Sequence, residues 1–284
     1  MDTAFPTGPI PDVALNDGHT LPAIGLGTYT LNGSGGAAAM ASAIREGYRL
    51  LDAAFNYENE GALGEAIRIS GVPRSELVLA SKLPGRHHRH AEALATIDES
   101  LWRAGLEYYD LYLIHWPNPR QGHYVEAWRA LIEARKRGLV QSIGVSNFLP
   151  EHIDRLIAET GVVPAVNQIE RHPRFQQWGQ IAFDRSHSIV TQAWSPLGRG
   201  SLLDDPVLSE IATRHDRTVG QIVLRWQVQS GCLPLPKSTS PARQAENLAV
   251  FDFELSTNDM TAIAAVDRSD GRLNNQDPAI YEEF

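Results

Sequence analysis

Leu77-Val78-Leu79-Ala80-Ser81-Lys82 is an apolar run of strand length, and residues 91–104 that follow it carry apolar side chains at three- and four-residue spacing, the period of a helix. Leu111-Tyr112-Leu113-Ile114-His115 is a second such run. Residues 124–137 repeat the helical pattern and end at Gly138, a residue type that closes helices, before a third strand at 142–145. Outward from this block the alternation continues. Strands are predicted at 24–28, 49–53, 165–168, 189–194 and 233–236, and proline-marked helix starts at Leu149-Pro150-Glu151 and Ser240-Pro241-Ala242. Near the N-terminus, residues 13–21 read as a hairpin turning at Asp17-Gly18. Eight strands alternating with helices, with no linker or shift in composition, predict an α/β fold: a (β/α)8 TIM barrel in one domain, residues 1–284. The polar, turn-rich stretch 270–278 is expected to fold over the barrel mouth. A doubly wound open sheet is the alternative.

Composition limits the possible partners. Of the 284 residues, 43% are hydrophobic and 21% charged, a globular balance, and the formal charge of −9 argues against nucleic acid or an anionic membrane. No apolar run is long enough to span a bilayer, and Met1 to Pro6 have neither the basic start nor the apolar core of a signal peptide. The single cysteine, Cys232, lies beside Leu233 and Leu235 and reads as a buried, inert thiol. A cytoplasmic, monomeric protein is expected.

Barrel enzymes work at the C-terminal ends of their strands. Three neighbouring strands here each finish an apolar run on an ionisable residue, namely Asp52, Lys82 and His115, and Tyr57 follows in the loop after Asp52. A lysine entering a barrel mouth needs a partner, because an unpaired buried ammonium is very costly, and Asp52 can supply it. The Lys82 cation is expected to favour the phenolate of Tyr57 and so lower its pKa, which makes the tyrosine a usable proton donor. His115 can hydrogen-bond the same substrate oxygen. On spacing alone, an Asp–Lys pair of this kind is as often structural as catalytic.

The segments Asp52-Ala53-Ala54-Phe55-Asn56-Tyr57-Glu58-Asn59-Glu60, Ser81-Lys82 and Leu113-Ile114-His115-Trp116-Pro117 together resemble the motifs of the aldo-keto reductase family, and in particular bacterial members of the 2,5-diketogluconate reductase type. The resemblance runs from Gly25-Leu26-Gly27-Thr28 to Lys237-Ser238 and the helix after it. It implies NADPH-dependent reduction of small aldehydes or ketones by direct hydride transfer, with Asp52, Tyr57, Lys82 and His115 as the catalytic set. It also assigns a cofactor role to Thr28 and Asp52. Ser146, Asn147 and Gln168 are implied to hold the carboxamide, Trp194 to stack on the nicotinamide, and Ser195, Leu197 and Gly198 to wrap the pyrophosphate. Lys237, Ser238, Arg243, Glu246 and Asn247 surround a helix start, where anions are attracted, so a 2′-phosphate is expected there. Tyr29, Phe55, Trp116 and Asn118 follow strand ends and are expected to line the substrate pocket. Glu58 after the tyrosine, and Leu83-Pro84-Gly85 where many members carry a tryptophan, depart from the family pattern and bear on substrate range.

Other signals are weaker. Gly25-x-Gly27 is followed by Thr30 where a dinucleotide fingerprint needs its third glycine. Phe148 stands where the nucleophile elbow of a serine hydrolase needs glycine. His87-His88-Arg89-His90 reads as a solvated loop, and no metal is expected. Two competing functions remain from the sequence: an NADPH-binding regulatory subunit of the same fold with slow turnover, and a metal-dependent barrel hydrolase, for which only His115 and Asp52 could serve as ligands.

Overall fold

The computed structural model describes residues 9–284, so the reading of Met1 to Pro6 lies outside it. Strands β1 (Asp12–Ala14) and β2 (Thr20–Pro22) pair antiparallel with Val13 opposite Leu21, and Gly18 takes a φ of 95° in the turn between them. A second sheet follows, with β3 (Leu26–Gly27), β4 (Leu50–Asp52), β5 (Val78–Leu83), β6 (Tyr109–Ile114), β7 (Val140–Ser146), β8 (Val166–Glu170), β9 (Val190–Trp194) and β10 (Leu233–Pro234) pairing in parallel and in chain order. Hydrogen bonds from Gly25 N to Pro234 O (3.1 Å) and from Gly27 N to Pro236 O (3.0 Å) join the last strand to the first and close the barrel. The two seam strands are shorter than predicted because Pro234 and Pro236 have no N–H to return. A Cβ on Gly27 would lie 2.8 Å from Leu235 O, so no side chain fits at this seam.

One helix follows each of the first six barrel strands: α1 (Gly33–Glu46), α2 (Glu60–Ser70), α3 (His90–Ala104), α4 (Tyr124–Lys136), α5 (Pro150–Thr160) and α6 (Trp178–Ser186). Two, α7 (Pro206–His215) and α8 (Val219–Gln229), follow β9, and α9 (Pro241–Leu248) and α10 (Thr257–Ala264) follow β10. Pro150 and Pro241 start α5 and α9 as predicted, and the Ser240 hydroxyl accepts from Arg243 N at the α9 N-cap.

Strand side chains alternate between two apolar layers. Leu51, Leu79, Tyr112 and Ile114 point outward to a helix-covered layer that includes Met40, Ile97 and Trp128. Leu50, Ala80, Leu111, Leu113 and Val166 point inward, and Leu15 and Leu21 of the hairpin join them, so the hairpin plugs the barrel floor. This two-residue period positions the site. Asp52 comes two after Leu50, Lys82 two after Ala80, His115 two after Leu113 and Gln168 two after Val166. All four therefore point into the barrel at its C-terminal end.

Candidate active site

Lys82 is fully buried, and its ammonium is satisfied on three sides. Its Nζ donates to Asp52 Oδ2 at 2.7 Å, to Ala53 O at 2.8 Å and to the Tyr57 hydroxyl at 3.5 Å. Gln168 Nε2 donates to the other Asp52 oxygen at 2.9 Å. The aspartate is thus fixed from two strands, and the lysine from one aspartate and one backbone carbonyl. Burial alone would lower the lysine pKa, but Asp52 and Tyr57 outweigh it and the ammonium is held above its usual range.

Tyr57 ends a 3-10 turn, Phe55–Tyr57, that Glu58 closes in the left-handed region at φ 54°. Asn59 anchors this turn by donating to Thr28 O (2.7 Å) and Thr28 Oγ1 (2.9 Å), while Thr28 Oγ1 donates to Asp52 O. The direction of the tyrosine shift differs from the sequence expectation. Burial raises the phenol above its ordinary value, and the neighbouring Lys82 cation only offsets part of that rise. The phenol is therefore protonated at neutral pH, the state in which it has a proton to give. The Tyr57 ring meets His115 edge-on at 5.7 Å and Tyr29 at 5.1 Å.

These residues open on a cleft of about 1020 Å³, large enough for a dinucleotide and a small substrate together. Thr28, Tyr29, Asp52, Tyr57, His115 and Trp116 line one end of it. Ser146, Asn147, Gln168 and Trp194 line its middle, and Ser195, Leu197, Lys237, Ser238, Arg243, Glu246 and Asn247 the other end. The middle is already cross-linked: Trp194 Nε1 donates to Asn147 Oδ1 at 2.7 Å, and Asn147 Nδ2 donates to His115 O at 3.0 Å. Lys237 Nζ reaches Thr30 Oγ1 (2.9 Å), and Arg199 and Arg243 also line the cleft. Arg199, Lys237 and Arg243 thus bring three cations to the lining, together with the carboxylates Asp52, Glu246 and Glu283. The donor set fits a phosphorylated dinucleotide: cations and a helix start at one end, amides and an indole at the other.

Four expected residues lie off the cleft wall. Lys82 stands behind Tyr57, within the barrel. Gly198 packs under Leu202, where a Cβ would come within 3.1 Å. Phe55 turns away from the substrate end and is clamped by Arg103, whose guanidinium lies 3.9 Å from the ring centre, with Arg86 at 5.6 Å. Asn118 is fully buried and grips the C-terminal tail, donating to Glu283 O at 2.8 Å and accepting from Glu283 N at 3.0 Å. Pocket roles for Phe55 and Asn118, inferred from their places after strands, thus give way to packing and latching.

Asn56, Arg199, the Thr218-Val219-Gly220 start of α8, Tyr281 and Glu283 also stand on the wall, and sequence patterns did not point to them, while Asn274 and Gln276 stand there from the 270–278 stretch expected at the mouth. Only Arg199, next to the Ser195-Gly198 segment, had a local signal. The tail reaches the mouth through Asn274 and Gln276 of the expected 270–278 stretch, and beyond it through Tyr281 and Glu283. The histidine triplet separates: His87 Nδ1 contacts Thr96 Oγ1, His90 contacts Glu133, and His88 is buried rather than solvated. Burial pushes the His88 imidazole down to about 4 and the Cys232 thiol up. Among the described residues no helix is long and apolar enough to cross a membrane.

A closed parallel barrel with a tyrosine, a buried Asp–Lys pair and a histidine at its mouth, beside a dinucleotide-sized cleft, defines an oxidoreductase of the barrel type. The chain belongs to the aldo/keto reductase family, whose model matches residues 23–268. It is 52% identical over 276 residues to 2,5-diketo-D-gluconic acid reductase B of a Corynebacterium species, covering 97% of this chain and 99% of that one. It is 42% identical over 274 residues to methylglyoxal reductase DkgA of Yersinia pestis, covering 95% and 97%. Among solved structures, a Gox0644 variant in complex with NADPH superposes with a TM-score of 0.93 at 43% identity, covering 97% of this chain and all of that one.

Proposed function

We propose that the protein is an NADPH-dependent reductase of small aldehydes and ketones in which Tyr57 is the general acid. The observation that carries this reading is the Tyr57 hydroxyl, 3.5 Å from a fully buried Lys82 that is itself pinned to Asp52. Bound NADPH supplies a hydride to the carbonyl carbon. Tyr57 gives its proton to the carbonyl oxygen and becomes a phenolate. The negative charge arises only as the proton leaves, so the attraction of Lys82 is stronger in the transition state than before it. Asp52 and Gln168 keep the ammonium from swinging away. His115 orients the carbonyl oxygen next to the phenol. Trp194, Ser146, Asn147 and Gln168 hold the nicotinamide end, while Lys237 and Arg243 hold the 2′-phosphate with charge-assisted bonds. Tyr29 and Trp116 flank the carbonyl compound.

In this reading residues 1–284 act as one barrel domain, as a monomer in the cytoplasm. The test is steady-state NADPH oxidation against a panel of aromatic aldehydes, ketones and dicarbonyls that includes methylglyoxal and 2,5-diketo-D-gluconate. Turnover of several members per second supports the proposal. NADPH binding without turnover on any member would point to a regulatory subunit and contradict it.

A further inference from the structure

Residues 237–240 of the cleft wall are held from behind by a side chain that does not reach the cleft. Lys237, Ser238, Thr239 and Ser240 line it in succession, and Arg243, Glu246 and Asn247 of α9 continue the lining. Gln244, within the same helix, is instead fully buried. Its Nε2 donates twice, to Ser238 O at 2.9 Å and to Ala39 O of α1 at 3.0 Å. One amide thus ties the cleft segment to a helix 205 residues away in the chain. Residues 33–39 of α1 are Gly-Ser-Gly-Gly-Ala-Ala-Ala, side chains small enough for the amide to reach the helix backbone.

Other bonds of this segment are local. Ser240 N donates to Ser238 Oγ at 3.1 Å, Ser238 Oγ donates to Ser240 O at 3.3 Å, and Gln244 N donates to Ser240 O at 2.9 Å. Bonds within residues 238–244 give the segment its shape, and the bond from Gln244 to Ala39 fixes that shape against α1. Gln244 Oε1 is buried and has no hydrogen-bond partner among the described residues. A buried acceptor left unsatisfied is costly, whereas an apolar side chain of the same length would fill the space without that cost. What the amide supplies beyond packing is its grip on the Ser238 and Ala39 carbonyls.

We propose that Gln244 is a positioning residue for cofactor selectivity: by tying Ser238 to α1 it holds the 237–240 segment where Lys237 and Ser238 meet a 2′-phosphate. It acts through that segment and touches no part of the dinucleotide. Charge-assisted bonds to a phosphate depend on geometry, so a segment free to shift makes them less well. A cofactor without the 2′-phosphate does not use them. The proposal rests on the reading of this segment as the 2′-phosphate site. Its coupling is reciprocal: if the clasp raises NADPH affinity by a given factor, bound NADPH stabilises the clasp by the same factor.

Gln244→Met keeps the length and helix propensity of the side chain and removes both donors. Fluorescence titration of this variant is expected to show NADPH binding weakened about threefold to tenfold, the range for lost neutral hydrogen bonds, and NADH binding changed by less than about twofold. Parallel loss for both cofactors, or no loss for either, in a folded variant overturns the proposal. Lys237→Ala, titrated alongside, separates the clasp from the site. If Lys237→Ala loses NADPH selectively and Gln244→Met does not, only the clasp is contradicted. If Lys237→Ala weakens both cofactors equally, the phosphate site falls and the proposal with it. The parent chain supplies a measurement that needs no variant: solvent exchange of the Gln244 Nε2 protons, followed by NMR. NADPH is expected to slow that exchange about threefold to tenfold more than NADH does, by the same reciprocity. Equal slowing by the two cofactors overturns the proposal even if Gln244→Met does not fold.

Discussion

The Lys82 ammonium lies 3.5 Å from the Tyr57 hydroxyl, with the lysine fully buried and tied to Asp52 at 2.7 Å. The same cation therefore has two tasks, one in the fold and one in the chemistry. Lys82→Met removes it and leaves Asp52 buried with Gln168 as its remaining side-chain partner. A buried charge stripped of its partner costs about 3–5 kcal/mol of stability. Urea denaturation of Lys82→Met is expected to show a loss of that size, together with loss of carbonyl reduction. Asp52→Asn added to Lys82→Met is expected to recover stability without recovering activity. Wild-type stability in Lys82→Met would contradict the pairing.

The cations lining the cleft predict cofactor preference. Lys237→Ala and Arg243→Ala each remove one charge-assisted contact to a 2′-phosphate, worth about 1.5–3 kcal/mol. Fluorescence titration is expected to show NADPH binding weakened by that amount and NADH binding almost unchanged, since NADH lacks the phosphate. Equal loss for both cofactors would place the phosphate elsewhere.

Far from the cleft, Asp259 predicts a pH effect on stability. Burial would raise its carboxyl, but Arg214 Nη2 (2.6 Å), His215 Nε2 (2.9 Å) and the Ser256 N-cap (2.7 Å from Oγ) outweigh burial and hold it well below the usual range. A depressed carboxyl stabilises the fold above its unfolded pKa of about 3.9 and loses that contribution as pH falls towards the folded value. Asp259→Asn is thus expected to be less stable than the parent at pH 6, with the gap closing as pH falls below about 4. A gap that stays constant with pH would show that the charge of Asp259 plays no part.

Much of this was legible in the chain because its rules are local. Apolar runs and helical spacing give eight strands and their helices, and the period of two in Leu50-Leu51-Asp52 and Ala80-Ser81-Lys82 carries the site residues to the inner face. Phe55 and Asn118 misled because a position after a strand does not say which way a side chain turns: Phe55 finds Arg103, and Asn118 finds a tail 165 residues away. Glu283 was invisible for the same reason, since nothing near it in sequence announces Asn118. The Tyr57 shift came out opposite because the cation was legible and the burial around the ring was not.

The mechanism depends most on Tyr57 as the proton donor. Tyr57→Phe keeps the ring and its edge contacts with Tyr29 and His115 and removes only the hydroxyl. Loss of a general acid costs on the order of 10²–10⁴ in rate, or about 2.7–5.4 kcal/mol of barrier. The decisive measurement is single-turnover NADPH oxidation at saturating aldehyde by Tyr57→Phe, with NADPH affinity measured on the same sample. A rate lowered by about a hundredfold or more with NADPH binding intact is the predicted result. A rate within about threefold of the parent, with binding intact, would contradict the acid role of Tyr57 and the mechanism built on it.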